Sequence, residues 1–143
     1  MRFERHIYSG KAPTEVLRLV ADFRHLQSWD DSVVSVEPLD EVFGEGSRYR
    51  VRVLFSGNPI DMVYTVSMYE AGVRAVVSGV AAKAKATDTI EVESFGEGTM
   101  IKYTAKIDMA FPFNLLDPIL AIGFKKTVDR AVSGLQRLSL IHN

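Results

Sequence analysis

The sequence predicts an α+β domain: an antiparallel sheet of about seven strands, two short helices after the first strand, and one long helix at the C-terminal end. Three observations carry that expectation. Residues 47–109 divide into apolar-alternating segments separated by glycine-containing turns. The stretch ILAIGFKKTVDRAVSGLQRLSLI carries one amphipathic helical stripe throughout. Between the first strand and the remainder, Pro13 opens a short segment with helical apolar spacing.

Taken in order, FERHIYS alternates as a strand and leads into Pro13, a residue suited to the first turn of a helix because that turn needs no N–H donor. TEVLRLVAD follows, with Val16, Leu17 and Val20 on one side. Asp22 is placed to cap a second short helix, FRHLQSW, in which Leu26 and Trp29 share a face. The strand SVVSVEPL and the loop DEVFGEGS come next. In YRVRVLFSGNPIDMVYTV, a turn at Gly57-Asn58 sets Phe55 opposite Ile60, Val53 opposite Met62, Val51 opposite Tyr64 and Tyr49 opposite Val66. The other face of that hairpin receives Arg48, Arg50, Arg52, Asp61 and Thr65. A slip of one residue would mix the faces. A turn at Ala71-Gly72 pairs Met68 with Ala75 and Val66 with Val77. Lys83 and Lys85 alternate with Ala82, Ala84 and Ala86 and read as a strand with one charged face. The turn at Gly96-Glu97 sets Val92 opposite Ile101, Ile90 opposite Tyr103, Glu91 opposite Lys102 and Thr89 opposite Thr104. Asp117-Pro118 reads as an N-cap and first helical residue. Leu120, Phe124, Val128, Ala131, Leu135 and Leu138 then form the apolar stripe of a helix roughly 34 Å long.

At 143 residues, 47% apolar and 24% charged, the chain is long enough for one domain with its own core. A net charge of -1 offers nothing to attract nucleic acid or an anionic surface by bulk electrostatics. Cysteine is absent, which removes disulfides, thiol nucleophiles and thiolate metal sites. MRFERHIYSGKAP lacks the apolar core of a signal peptide, and no apolar run is long enough for a membrane span. The expectation is a cytoplasmic protein, monomeric or homodimeric, with no cofactor.

The order of elements resembles the helix-grip fold of the START-like (SRPBCC) superfamily, and in particular its polyketide cyclase/dehydrase-type members. The resemblance rests on Ala12-Pro13-Thr14-Glu15-Val16 after the first strand, the block from Asp22 to Asp30, and Val33 to Glu37. Gly44-Glu45-Gly46-Ser47 before a strand and Leu115-Leu116-Asp117-Pro118 opening the last helix complete it, so that it covers essentially the whole chain. It implies a curved sheet wrapped round the long helix, with an apolar or amphipathic small molecule bound between them, and catalysis in only some members. It also implies that the Trp of the Asp22–Asp30 block closes the short helices against the sheet. Trp29 is therefore read as architecture, and Asp30 and Asp31 as residues that cap or solvate the turn into the next strand.

Sequence motifs for chemistry are sparse. His6, His25 and His142 are far apart and lack metal-ligand spacing, and no serine lies in a G-x-S-x-G context. GEGS and FGEGT are turns without the lysine of a phosphate-binding loop. Asp88 is the informative position, since the Gly96-Glu97 register puts it on the apolar face opposite Ala105. There are two readings. Either the strand end is irregular and Asp88 reaches water, or it stands in a pocket where lost hydration would raise its pKa towards acid/base use. Tyr49, Tyr64 and Tyr103 share that face with Met62, Met68 and Met109, combining polar handles with adaptable apolar side chains. Gly123 and Gly134, unfavourable inside a helix, leave room beneath it or allow close packing.

These residues define a candidate ligand site of Tyr49, Val51, Met62, Tyr64, Asp88, Tyr103, Met109 and Phe124, with a volume of a few hundred Å³ as is typical. The first expectation is binding of a lipid, isoprenoid or polyketide-like molecule. A cyclase or dehydratase using Asp88 and a tyrosine is the alternative, and a protein-interaction module the third. Nothing exposed and apolar stands out in the sequence to support that third reading.

Overall fold

A computed structural model describes residues 1–55 and 57–141, with the side chains at 113, 116, 117 and 138–141 excepted. Its strands are β1 (Arg2–Ser9), β2 (Val33–Pro38), β3 (Arg48–Phe55), β4 (Asn58–Glu70), β5 (Arg74–Ala81), β6 (Ala84–Phe95) and β7 (Gly98–Met109). They form one antiparallel sheet in the order β1-β7-β6-β5-β4-β3-β2. Helix α1 (Pro13–Ala21) and a 3₁₀ segment (Phe23–Ser28) follow β1, and α2 (Asp117–Ile141) ends the fold. This is the helix-grip arrangement expected from the sequence. The pairing of β1 with β7, Arg5 facing Tyr103 and Ile7 facing Ile101, joins the two ends of the sheet's chain path.

α1 forms because Pro13 fits its first turn and its apolar residues recur at helical spacing. Val16, Leu17, Val20 and Ala21 are fully buried, and burying each larger one is worth about 1.5–3 kcal/mol. Asp22 ends that helix and starts the next segment, accepting a hydrogen bond from the Arg24 backbone N–H. Trp29 is buried with its ring edge-on to Tyr103 at 6.2 Å, the architectural role read from the sequence. Its backbone also receives α2. A β-carbon on Gly134 would lie 2.0 Å from the Trp29 carbonyl oxygen, so this glycine permits the close packing of helix on turn. Arg5 Nε–Asp129 Oδ1 at 2.8 Å and Gln136 Nε2–Tyr8 O at 2.9 Å hold the same half of α2 to β1. Leu138, His142 and the Asp117 cap lie outside the described side chains.

The β6–β7 hairpin has the expected register throughout, from Val92 with Ile101 to Asp88 with Ala105. The β3–β4 hairpin differs by two residues: Phe55 faces Asn58, Val53 faces Ile60, Val51 faces Met62 and Tyr49 faces Tyr64. The turn takes in Gly57, whose φ of 81° suits glycine, and Asn58 belongs to the strand. A two-residue shift preserves both faces, because side chains alternate with period two. On the outer face, where both residues were expected, the shifted register brings Arg52 opposite Asp61, at 2.8 Å.

In the β4–β5 hairpin Met68 faces Val76 rather than Ala75, while Val66 faces Val77 as expected. The longer turn around Gly72 (φ 73°) displaces the register by one, and an irregularity between Val66 and Met68 restores it. Lys83 is not in a strand: β5 ends at Ala81 and β6 begins at Ala84, so it lies in the connecting turn.

Candidate functional site

Between the inner face of the sheet and α2 lies a cavity with about 130 Å³ of room for the centres of water-sized molecules, smaller than the few hundred Å³ expected. Strand periodicity builds its walls. β4 contributes Ile60, Met62 and Tyr64, β6 contributes Ala84, Ala86 and Asp88, and β7 contributes Tyr103, Ala105, Ile107 and Met109. From α2 come Phe124, Thr127, Val128 and Ala131, spaced as one helical face. Asp30 and Ser32, in the turn before β2, border the same space.

The cavity exists because small side chains face it from both the sheet and α2. Ala86, Ala105 and Ala131 are all buried in positions where larger residues would fill it. The backbone is cut back as well. Gly79 pairs with both Tyr64 and Ala86, and the Tyr64 ring lies directly over it. Phe23 supports that ring from another side, at 5.0 Å and 64°. The alternation of Ala84 and Ala86 on the Asp88 face was the available sequence signal for the sheet side of this arrangement.

Six of the eight residues expected at the site line the cavity: Met62, Tyr64, Asp88, Tyr103, Met109 and Phe124. Tyr49 and Val51 are buried away from it. The Tyr49 hydroxyl instead donates to Asp22 Oδ1 at 3.0 Å, and its ring packs against Phe23. Both residues do face inward, but Phe23 of the 3₁₀ segment occupies the space above Tyr49. Burial pushes the Tyr49 hydroxyl well above its ordinary range, and the neighbouring Asp22 charge adds to the effect.

Asp88 is the strongest chemical feature. Its carboxyl is pushed up to about 7, chiefly by lost hydration; a hydrogen bond from Tyr103 opposes the shift and the charge of Asp30 reinforces it. Burial raises Asp30 too, against hydrogen bonds from Ser32. Ser32 donates to Asp30 Oδ1 through its hydroxyl at 2.6 Å and its backbone N–H at 3.0 Å. Asp30 thus shapes the turn as read, but it also borders the cavity, which the sequence reading missed. Local sequence offers only the Asp-x-Ser turn pattern; its approach to Asp88 is a product of the tertiary fold. Asp31 remains exposed, 3.7 Å from Arg130. Among the described residues Tyr64 donates to the Met62 sulfur, at 3.5 Å, a weak acceptor that leaves the hydroxyl available.

At the outer end, Phe55 stacks on Phe124 with centroids 4.1 Å apart and planes 17° from parallel. This contact ties the β3–β4 hairpin to α2 at the side of the cavity bordered by the exposed Leu54 and Lys85. Neither Phe55 nor Asp30 was among the expected site residues. Among the described residues no group of His, Asp or Glu is arranged to hold a metal ion. No helix of the described residues is long and apolar enough to cross a membrane.

Residues 1–139 match the family described as "Polyketide cyclase / dehydrase and lipid transport". TTHA0849 from Thermus thermophilus is similar in structure, with 21% sequence identity and a TM-score of 0.78, covering 100% of this chain and 98% of that one. A START superfamily protein from Mycobacterium smegmatis is similar at 12% identity and a TM-score of 0.82, with 99% of both chains covered. DR_A0006 from Deinococcus radiodurans is similar at 13% identity and a TM-score of 0.69, covering 97% of this chain and 95% of that one. Such low identities speak for the fold alone. No curated protein matches the sequence.

Proposed function

We propose, from the premise that this chain belongs to the polyketide cyclase / dehydrase and lipid transport family, that it binds a small apolar or amphipathic molecule between its sheet and α2. The observation that carries this reading is the composition of the cavity wall: alanines, methionines and aromatic rings on most sides, with Asp88, Tyr103 and Tyr64 gathered at one side. The apolar surface supplies affinity and the few polar groups supply orientation. An empty apolar cavity of about 150 Å³ can accept a benzene-sized molecule. The room available here therefore suits a compact ring or a short chain, and a longer lipid, isoprenoid or polyketide would extend past the Phe55–Phe124 pair.

A second reading is catalytic, and the Asp88–Tyr103 pair favours it. A carboxyl poised near 7 can accept a proton from an acidic carbon or return one to a leaving oxygen. Tyr64, buried and weakly bonded, is available to donate to a carbonyl of the bound molecule. In this reading Asp88→Asn keeps ligand affinity and abolishes turnover; unchanged turnover removes Asp88 from the chemistry.

Native mass spectrometry of the purified protein, followed by organic extraction, tests the binding reading. A stoichiometric apolar adduct is expected, and it should be missing from Ala105→Leu, in which the added side chain occupies the cavity. An adduct that survives in Ala105→Leu would put the ligand elsewhere. If the wild-type protein stays bare, including after incubation with a panel of lipids, isoprenoids and aromatic polyketides, the binding reading fails.

A further inference from the structure

The two halves of α2 differ in how they meet the fold. Val128, Ala131, Gly134 and Leu135 are buried, whereas Ile119 and Ile122 are 69% and 64% exposed. Just before the helix, Phe111 and Leu115 are 78% and 68% exposed. Among the described side chains of residues 111–122, these four large apolar ones therefore face solvent, contrary to the expectation that no exposed apolar feature would stand out. Leu115, Ile119, Ile122 and Lys126 follow one another at helical spacing, so the apolar stripe ends on a cation. Lys125 is beside it, also exposed.

More cations surround the same end of the molecule. The Ala110 N–H bonds to the Lys83 carbonyl at 2.9 Å, bringing the β5–β6 turn against the chain that leads to Phe111. Exposed Lys85 and Lys106 stand on the adjoining strands. Asp108, 3.9 Å from Lys106, and Asp117, by its place in the chain, are acidic neighbours, and Asp129, one turn beyond Lys125 and Lys126, is held by Arg5 at 2.8 Å. Lysines outnumber acids here although the whole chain has a net charge of -1, so the positive charge is concentrated around the apolar tip.

We propose that this end of the molecule, with Phe111, Leu115, Ile119 and Ile122 at its tip, docks on an anionic phospholipid surface. Apolar side chains enter the boundary between headgroups and acyl chains, and lysines around them meet the lipid phosphates. A second copy of this chain is a poorer occupant. A two-fold contact through the stripe would bring two lysine-rich rims together, with only Asp108 and Asp117 on each to offset the repulsion. The surface also adjoins the cavity: Met109 and Phe124 line it, two residues from Phe111 and Ile122 respectively. A docked molecule would thus present its cavity to the lipid phase. The docking itself stands independently of what the cavity holds.

Co-sedimentation of the full chain with sucrose-loaded vesicles tests the proposal, using phosphatidylcholine alone and phosphatidylcholine mixed with phosphatidylglycerol. Binding is expected to the mixed vesicles only, and it should weaken as salt is added. Lys125→Gln with Lys126→Gln should reduce it by about fivefold per lysine. Ile119→Ser with Ile122→Ser should remove most of it, and because both positions are exposed the thermal melt should barely move. Equal binding to both vesicle types, or binding unaffected by either pair of substitutions, overturns the proposal. So does an absence of vesicle binding, whether sedimentation velocity shows a monomer or a dimer that the isoleucine substitutions dissociate.

Discussion

The ring of Tyr64 lies across Gly79 so closely that a β-carbon on Gly79 would come within 2.5 Å of it. Three strands meet in this contact, since Gly79 pairs with Tyr64 on one side and Ala86 on the other. It lets a large aromatic side chain lie flat at the cavity wall rather than stand into the cavity.

Gly79→Ala is expected to destabilise the protein by about 1–3 kcal/mol, the usual cost of forcing extra volume into a packed core. Tyr64 cannot simply withdraw, because Phe23 supports it. Urea denaturation measures the loss, and Gly79→Ala combined with Tyr64→Leu should recover part of it. A single mutant as stable as wild type would mean that the sheet yields here at no cost.

Tyr49 and Asp22 give a prediction that separates structure from binding. Tyr49→Phe removes a hydrogen bond to a buried carboxylate and should cost about 1–3 kcal/mol. Burial works to raise the Asp22 pKa, yet bonds from Arg24 and Tyr49 outweigh it and hold the group below its ordinary value. Ligand affinity should be unaffected, since Tyr49 lies off the cavity. A large affinity loss without loss of stability would return Tyr49 to the binding site.

Asp88 sets a pH dependence opposite to that of Asp22. Its pKa is raised in the folded state, so the folded protein holds a proton that the unfolded chain releases at lower pH. This contribution to stability is fully present below about pH 4 and is lost as pH rises through about 7. Asp88→Asn should flatten that decline, by on the order of 1–3 kcal/mol between pH 4 and 8. Asp22, with its lowered pKa, contributes stability that is lost as pH falls. Parallel stability curves for wild type and Asp88→Asn would show that Asp88 titrates normally.

The Phe55–Phe124 stack predicts kinetics more than affinity. Phe55→Ala and Phe124→Ala should each speed ligand release, because each opens the same side of the cavity. In a double-mutant cycle on stability their coupling should be about 0.5–1.5 kcal/mol. Release rates unchanged in both variants would mean that the ligand leaves by another route.

Local chemistry made much of this protein legible. Gly96-Glu97, with the opposed Glu91 and Lys102, specifies the β6–β7 register and hence the inward placement of Asp88. Pro13 and Asp22 mark their helical segments. The β3–β4 register was legible only to within two residues, since a period-two pattern is blind to such a shift. Six of the eight residues anticipated at the cavity do line it, five because facing inward is a property of strand periodicity and Phe124 because it lies on the apolar stripe of α2. Tyr49 faces inward as well, and only Phe23, delivered by another element, decides that it meets protein instead of open space. Asp30 reaches the neighbourhood of Asp88 across 58 residues of chain, a distance over which no local pattern carries information. The sequence by itself therefore determined the elements, their faces and the β6–β7 turn, because those depend on alternation and backbone preference. Tertiary structure alone decided the β1–β7 pairing, the depth of the cavity, the company Asp88 keeps and the uncovered stripe on α2, because each depends on which elements stop short of one another in space.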